Sequence, residues 1–326
     1  MPRLQCHQSI TSGRHVQTIE NQTDTWYHHT QRGHRQCHGP NGCRQGGNPK
    51  NPHNYSHDNE LLRCFYRETT QKGRRYIYVA EAVTDLYKVG YNRLTGADRV
   101  AIERGRRLVS VRQADTLGAK IQGGPTLPVG LDLMKKHDLL LDEKELENYL
   151  LRMEVPVVED DRPQLVISFK PARRTDHVLY SGRMIIDRQT LAFTRIEMSL
   201  DMSDESRATE LLLLRKPAGV RFRPREFNVT VAYRYDGNVS RIHYLRSETK
   251  FYCEWKRKLF ASPYHVEAEM VVTDLQSKDA QPISGKSSFS TMTPSTTRWN
   301  ISMTPTSGQT TTSSSQQSRS SMPSRS

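Results

Sequence analysis

The chain has 326 residues, 48 Lys and Arg against 35 Asp and Glu, a net charge of +13 and 35% hydrophobic residues, a length that suits one large domain or two small ones. No apolar run approaches the roughly 20 residues that span a bilayer, and the start MPRLQCHQSI lacks the apolar stretch of a secretory signal, so neither a transmembrane helix nor a signal peptide is expected. The charge is largely an end effect, +4 from residues 1–50 and +3 from residues 287–326, which leaves +6 for residues 51–286 and makes nucleic acid an unexpected partner.

Residues 1–50 are crowded with His, Gln, Arg, Asn and Gly, follow neither helical nor strand periodicity, and read as a disordered segment. Cys6, His7, His28, His29, His34, Cys37, His38 and Cys43 are metal-ligand types. No pair sits at C-x2-C or H-x3–5-H spacing on a hairpin and helix, so the segment reads as a histidine-rich tail, with no metal and no cofactor expected.

From residue 61 the pattern changes. LLRCFYRETTQ and YIYVAEAVTDLYKV are two strand-like stretches separated by KGRR, and Arg75, Ile77, Val79 and Glu81 alternate with Tyr76, Tyr78, Ala80 and Ala82, a period of two. Gly123-Gly124 suggests a bend. Residues 142–151 (DEKELENYLL) open with acids, as a helix start does, and predict a helix. Glu159-Asp160-Asp161 reads as a solvated turn between VPVV and LVISF. Residues 180–187 and 191–200 flank the turn DRQT, and in the second stretch Leu191, Phe193, Arg195, Glu197 and Ser199 oppose Ala192, Thr194, Ile196, Met198 and Leu200. Asp236-Gly237 supplies the positive φ of a tight hairpin between NVTVAYRY and VSRIHYLRSETKFYCEW, and residues 268–274 (AEMVVTD) predict one more short strand. The last 40 residues contain 23 Ser or Thr and no acid.

The expectation is a mainly β chain of eight to ten strands: a curved antiparallel sheet or open half-barrel with one buried face, one or two short helices and disordered ends. Its domains are residues 1–50, 51–286 and 287–326, the middle one carrying the fold. Cys64 and Cys253 make no disulfide framework, and a single bridge between them stays open.

No G-x-S-x-G elbow, H-E-x-x-H, phosphate loop or dinucleotide fingerprint is present, so no catalytic, cofactor-binding or metal-binding residue is assigned. His137, His177, His243 and His265 are isolated from Cys, Asp and Glu at ligand spacing and read as surface or strand histidines. Cys253, beside Trp255, reads as a packed thiol. Arg104, Arg106, Arg107, Arg173, Arg174, Lys256, Arg257 and Lys258 read as solvated faces, with an anionic envelope partner as the alternative. Phe65, Tyr66, Tyr76 and Tyr78 read as core and sheet face.

CFYRETTQKGRRYIYVAEAVTDLYK, DRVAIERGRR, IQGGP, LYSGRMIIDRQTLAFTRIEMSL, ATELLLLRKPAGVRFRP and KFYCEWKRKLFASPY, in this order over about residues 52–288, resemble the C-terminal region of the carboxypeptidase-like regulatory domain-containing proteins of Bacteroidota. In that family a transthyretin-like β-sandwich precedes this region; here it is missing, and the name implies no peptidase activity. The hairpin Gly182 to Asp187 with Ala192 to Glu197 is similar to strands of lipoprotein carriers with an open β-barrel. The resemblance implies a non-catalytic protein of the periplasm or outer cell envelope, its partner an envelope protein or a lipid-like ligand. The alternative is a hydrolase acting on cell-surface peptide or glycan.

The family's flanking segments are absent, yet each can be encoded in another reading frame. CHGPNGCRQGGNPKN can be encoded by codons that, one base along, give the amphipathic VMAPTDAVKEAIRKI. PTSGQTTTSSSQQSRSSMPSRS can likewise give DFWADYNIIEPTESLEHAVKK. Both ends therefore read as out-of-frame segments, with junctions near residues 50–52 and 288–291.

Overall fold

The computed structural model describes residues 54–290, apart from 94–95, 111, 113–118, 137–139, 257–258 and 286–287, together with 303–305. All of residues 1–50, and with them the candidate metal ligands, lie outside the described residues, as do His137, Arg257 and Lys258.

Alternation with a period of two builds nearly everything. The long strands are β1 (Glu60–Lys72), β2 (Arg75–Lys88), β3 (Arg99–Val109), β7 (Arg162–Pro171), β8 (Tyr180–Asp187), β9 (Phe193–Leu200), β11 (Val220–Tyr235), β12 (Ser240–Trp255) and β13 (Ser262–Ser277). Short ones are β4 (Lys120–Ile121), β5 (Tyr149–Met153), β6 (Val157–Glu159), β10 (Leu213–Arg215), β14 (Ser288–Ser290) and β15 (Met303–Pro305). Thirteen of them form one open sheet in the order β14-β3-β2-β1-β13-β12-β11-β9-β8-β7-β5, with β6 on β7 and β15 on β3, and β4 and β10 form a separate ribbon. Among the described residues every strand pairing is antiparallel except β15 with β3, and Tyr55 adds one isolated parallel bridge to Ser240.

The first and last long strands meet in the middle of the sheet, where β1 runs beside β13 from Leu61 opposite Ser277 to Lys72 opposite Tyr264. Register shifts at Thr70/Gln71, Val83/Thr84, Ile185/Ile186, Pro224/Glu226 and Ala232/Tyr233 interrupt the ladders. Each such irregularity bends its strand and adds twist. The sheet is therefore curved, mainly β and unclosed. The shift at Ile185/Ile186 also explains why Phe193 is buried beside Ala192, against the strict alternation of the sequence.

Three helices occur among the described residues: α1 (Thr126–Gly130), α2 (Glu143–Leu146) and α3 (Glu205–Leu212). The helix expected over residues 142–151 stops at Leu146, and Tyr149–Met153 pairs with β7 instead, because Tyr149, Leu151 and Met153 alternate with Leu150 and Arg152. α3 was not expected. Its signal is Asp204, whose carboxylate accepts from the backbone N–H groups of Ser206 and Arg207 at 3.1 Å, with Glu205 in the first turn. The short strand expected over residues 268–274 is the middle of the 16-residue β13. β14 carries the sheet past residue 286. None of the three helices is long and apolar enough to cross a membrane.

Gly182, the first residue of the hairpin motif, is required by close approach. A Cβ there would lie 1.9 Å from the carbonyl oxygen of Glu197 on the neighbouring strand and 3.0 Å from the Phe169 ring. Gly182→Ala is expected to lower the unfolding free energy by about 1–3 kcal/mol in urea titrations, the usual range for overpacking. An unchanged midpoint would remove this role.

Candidate functional site

The two faces of the sheet differ in chemistry. The outer face carries ion pairs: across strands Arg246 lies 2.7 Å from Glu267, Lys250 lies 2.8 Å from Glu226 and Glu81 sits between Arg67 and Arg106, and within β12 Lys250 lies 3.3 Å from Glu248. The concave face is apolar. Leu62, Cys64, Tyr66, Ile186, Ile196, Met198, Val231, Leu245 and Met270, drawn from six strands, belong to one buried cluster. A second, aromatic cluster occupies the end of the face near the β12–β13 turn, where Phe222, Phe251 and Tyr264 pack with ring centroids 4.8 and 5.3 Å apart.

A thin layer from the chain itself lies over this face. Val129 of α1, Leu133, Leu140, and Ala208 and Leu212 of α3 join the large cluster. Ala119, Ile121 of β4 and Leu213 of β10 join the aromatic one. The β4–β10 pairing, with the Gln122 N–H donating to the Leu212 carbonyl at 2.9 Å, ties the two pieces into one cover.

Two polar contacts fix that cover to the sheet. At one end Lys88 Nζ, on β2, donates to Asp98 at 2.6 Å and to Asp132 at 2.8 Å. Asp132 belongs to the loop after α1 and also accepts from Tyr91 Oη at 2.9 Å, from Tyr233 Oη at 2.5 Å and from the Met134 N–H at 3.1 Å. Lys88 is 2% exposed and Asp132 0%. A flat sheet would separate β2 from β11, four strands away, by about 19 Å. Lys88 and Tyr233 reach one carboxylate because the sheet curls around it. Burial would raise the Asp132 carboxyl, but the Lys88 ammonium and the three side-chain hydrogen bonds leave it below the usual carboxylate range. Burial likewise opposes the Lys88 ammonium, and Asp132 and Asp98 hold it above its ordinary value. Lys135 extends the anchor by donating to the carbonyls of Gly90 at 2.6 Å and Arg93 at 2.9 Å.

At the other end Glu68 of β1 accepts from Tyr66 Oη at 2.6 Å and from the Gly124 N–H at 3.0 Å. Gly124 has φ +88°, so Gly123-Gly124 is a bend, as expected, and it presents a backbone donor to the sheet. Burial raises the Glu68 carboxyl, and the two hydrogen bonds offset this only in part.

The residues singled out in the sequence are dispersed. His177 is half exposed, paired with Asp176 and Glu145 at 3.0 Å. His265 pairs with Glu248 on the outer face, and His243 sits on β12, lowered by burial and by Arg234. Glu159 pairs with Arg195, while Asp160 and Asp161 take positive φ in the β6–β7 turn. Cys64 and Cys253 are free, buried in different clusters, and burial pushes their thiols up to about 12 and about 11. Among the described residues no group of three His, Cys, Asp or Glu could hold a metal ion. Sequence reasoning missed Lys88, Asp98, Asp132, Tyr91 and Tyr233.

No protein-family model and no curated protein sequence matches the chain. Among solved structures it is similar to a domain from Vibrio parahaemolyticus described as an outer membrane lipoprotein-sorting protein, at 12% identity and a TM-score of 0.30, over 69% of this chain and 87% of that one. Lipovitellin is similar at 11% identity and TM-score 0.34, over 73% of this chain and 28% of that one. A DUF1329 family protein from Desulfovibrio piger is similar at 11% identity and TM-score 0.24, over 67% and 86%. At these values none of the three assigns a function.

The two anchors respond oppositely to pH. Lys88→Met leaves Asp98 and Asp132 buried without their cation and is expected to cost about 3–5 kcal/mol at pH 7. Because Asp132 is depressed, that contribution is present above the usual carboxylate pKa, near 3.9, and lost only as pH falls through the lower folded value. Glu68 is raised, so its charge disfavours folding above its folded pKa; Glu68→Gln is expected to raise the melting temperature at pH 7 and leave it unchanged near pH 4. Thermal melts of the unmutated chain and both variants across pH 2–8 check this, and parallel curves would refute it.

Proposed function

We propose that the chain is a non-catalytic protein of the bacterial cell envelope whose curved sheet takes up a lipid-like ligand, or an apolar segment of an envelope partner, beneath a displaceable cover. The observation that carries this reading is the contrast between the apolar concave face and the thin layer over it. A face spanning six strands is sheltered by two short helices, α1 and α3, and irregular chain, fixed by polar contacts at two ends. A rigid core would need no such arrangement. Hydrophobic burial has no preferred register, so an acyl chain can replace Val129, Leu133 and Leu140 against the same side chains. We place the chain in the carboxypeptidase-like regulatory domain-containing family of Bacteroidota on the motifs quoted above, with both ends out of frame and a periplasmic or outer-envelope setting for the family.

A fluorescent C16 fatty acid tests the proposal. Saturable binding near one probe per chain is expected, with faster uptake by Lys88→Met at temperatures where far-UV circular dichroism shows the sheet intact. Absence of saturable binding in both proteins, or equal uptake rates, would overturn it.

A further inference from the structure

The end of the sheet that holds the aromatic cluster carries a second feature, and its argument does not depend on whether the concave face binds a ligand. Leu259 and Phe260, adjacent in the β12–β13 turn, are 96% and 82% exposed. Two neighbouring large apolar side chains so fully in water are costly unless something covers them. They are not alone at this rim. The β1–β2 turn lies beside them, since the Gly73 N–H donates to the Pro263 carbonyl at 3.0 Å, and Tyr76 on that hairpin is 59% exposed. β3 ends at the same level, Val109 opposite Tyr78, with Leu108 and Val109 both exposed.

Charge accompanies the apolar tip. A groove of about 570 Å³ runs under Leu259, lined by Lys216, Arg221 and Lys256 with Trp255 and one acid, Glu254. Glu254 is already engaged by Arg223 at 3.1 Å. The β1–β2 turn adds exposed Arg74 and Arg75. The opposite rim is mixed in charge, with Arg188, Arg234 and Lys278 exposed as well as Asp58, Asp236 and Asp279, and Asp236 is paired with Arg241.

From this pairing of projecting apolar residues with basic surroundings, we propose that the rim formed by the β1–β2 and β12–β13 turns docks on an anionic lipid bilayer, with Leu259 and Phe260 entering the headgroup boundary and Lys216, Arg221 and Lys256 meeting lipid phosphates. Charge complementarity selects the occupant: an apolar partner protein would cover Leu259 and Phe260 but has no need of the cations beneath them. Shallow insertion and phosphate contact act together, since either alone gives weak, reversible association.

Flotation of the full chain with vesicles tests the proposal. Association is expected with vesicles of phosphatidylcholine and phosphatidylglycerol at 7:3, at least about tenfold stronger than with phosphatidylcholine alone, and weakened by 0.5 M salt, where the screening length is only a few ångströms. Leu259→Ser with Phe260→Ser, and separately Lys216→Glu with Lys256→Glu, should each reduce it about tenfold; these are exposed positions, and unchanged thermal melts will confirm that folding is intact. Absence of association with the anionic vesicles would overturn the proposal, as would association that both double variants retain. A solution dimer broken by Leu259→Ser with Phe260→Ser, without vesicle binding, would assign the rim to a second copy instead.

Discussion

The structure depends on keeping water from the concave face of a sheet that does not close. A closed barrel shelters its interior with its own wall, and a sandwich uses a second sheet. Here thirteen strands curl but stop, and the remaining chain must finish the enclosure. The residues that do this are few: α1, the loop after it, α3 and the β4–β10 ribbon. Apolar contact supplies their adhesion without fixing where they lie, because burial is proportional to area and indifferent to register. Position comes from the polar groups. Asp132 and Gly124 sit at two points along the same stretch of chain, and each meets a side chain that the sheet presents from its inner face.

The two contacts are built differently, and the difference follows from charge compensation. Asp132 collects donors from Lys88, Tyr91, Tyr233 and the Met134 backbone, so its carboxylate is both paired and fully hydrogen-bonded. Such a site recovers the desolvation of its ions only because nothing is left unsatisfied, and it gives more specificity than net stability. Glu68 has two neutral donors, a tyrosine hydroxyl and a backbone N–H. Neutral donors stabilise a buried carboxylate less than a cation does, so Glu68 is raised where Asp132 is lowered. The cover is thus held firmly beside β2 and β11 and more loosely at the Gly123-Gly124 bend.

Most of the sheet was legible in the sequence because its determinants are local. Gly73 and Asp236-Gly237 announce their hairpins, and the alternation of Ile196, Met198 and Leu200 with Arg195, Glu197 and Ser199 places the core on one side. The sequence shows seven residues of β13 instead of sixteen because His265 and Glu267 break the apolar run; with Glu269 they belong to the outer face, where Glu248 and Arg246 answer them from β12. The cover was illegible. Asp132 in GLDLMKK resembles any loop aspartate, and Lys88 at the end of a strand resembles a solvated terminus. Their pairing depends on a sheet curl that brings Tyr233 within reach from 101 positions away. The acid-rich DEKEL opening was a true helix signal, but the tyrosine and leucine after it were already committed to the edge of the sheet.

Cross-strand pairing also decides where the charge of the chain can act. Along β12 and β13 each basic side chain stands beside an acid: Arg246 among Glu248, Glu267 and Glu269, Lys250 between Glu226 and Glu248. Opposite charges a few ångströms apart cancel within the roughly 8 Å over which physiological salt screens a field, so the outer face presents little net potential. Exposed pairs of this kind also add little stability, and their main effect is solubility and register. Turns are different. Antiparallel pairing supplies no facing residue to Arg74, Lys216 and Lys256, so no acid stands across a ladder from them. The basic runs that read in sequence as one uniform solvated surface therefore differ by position in the sheet: Arg106 is paired with Glu81 across the strands, while Lys256 is exposed at the rim that also exposes Leu259 and Phe260.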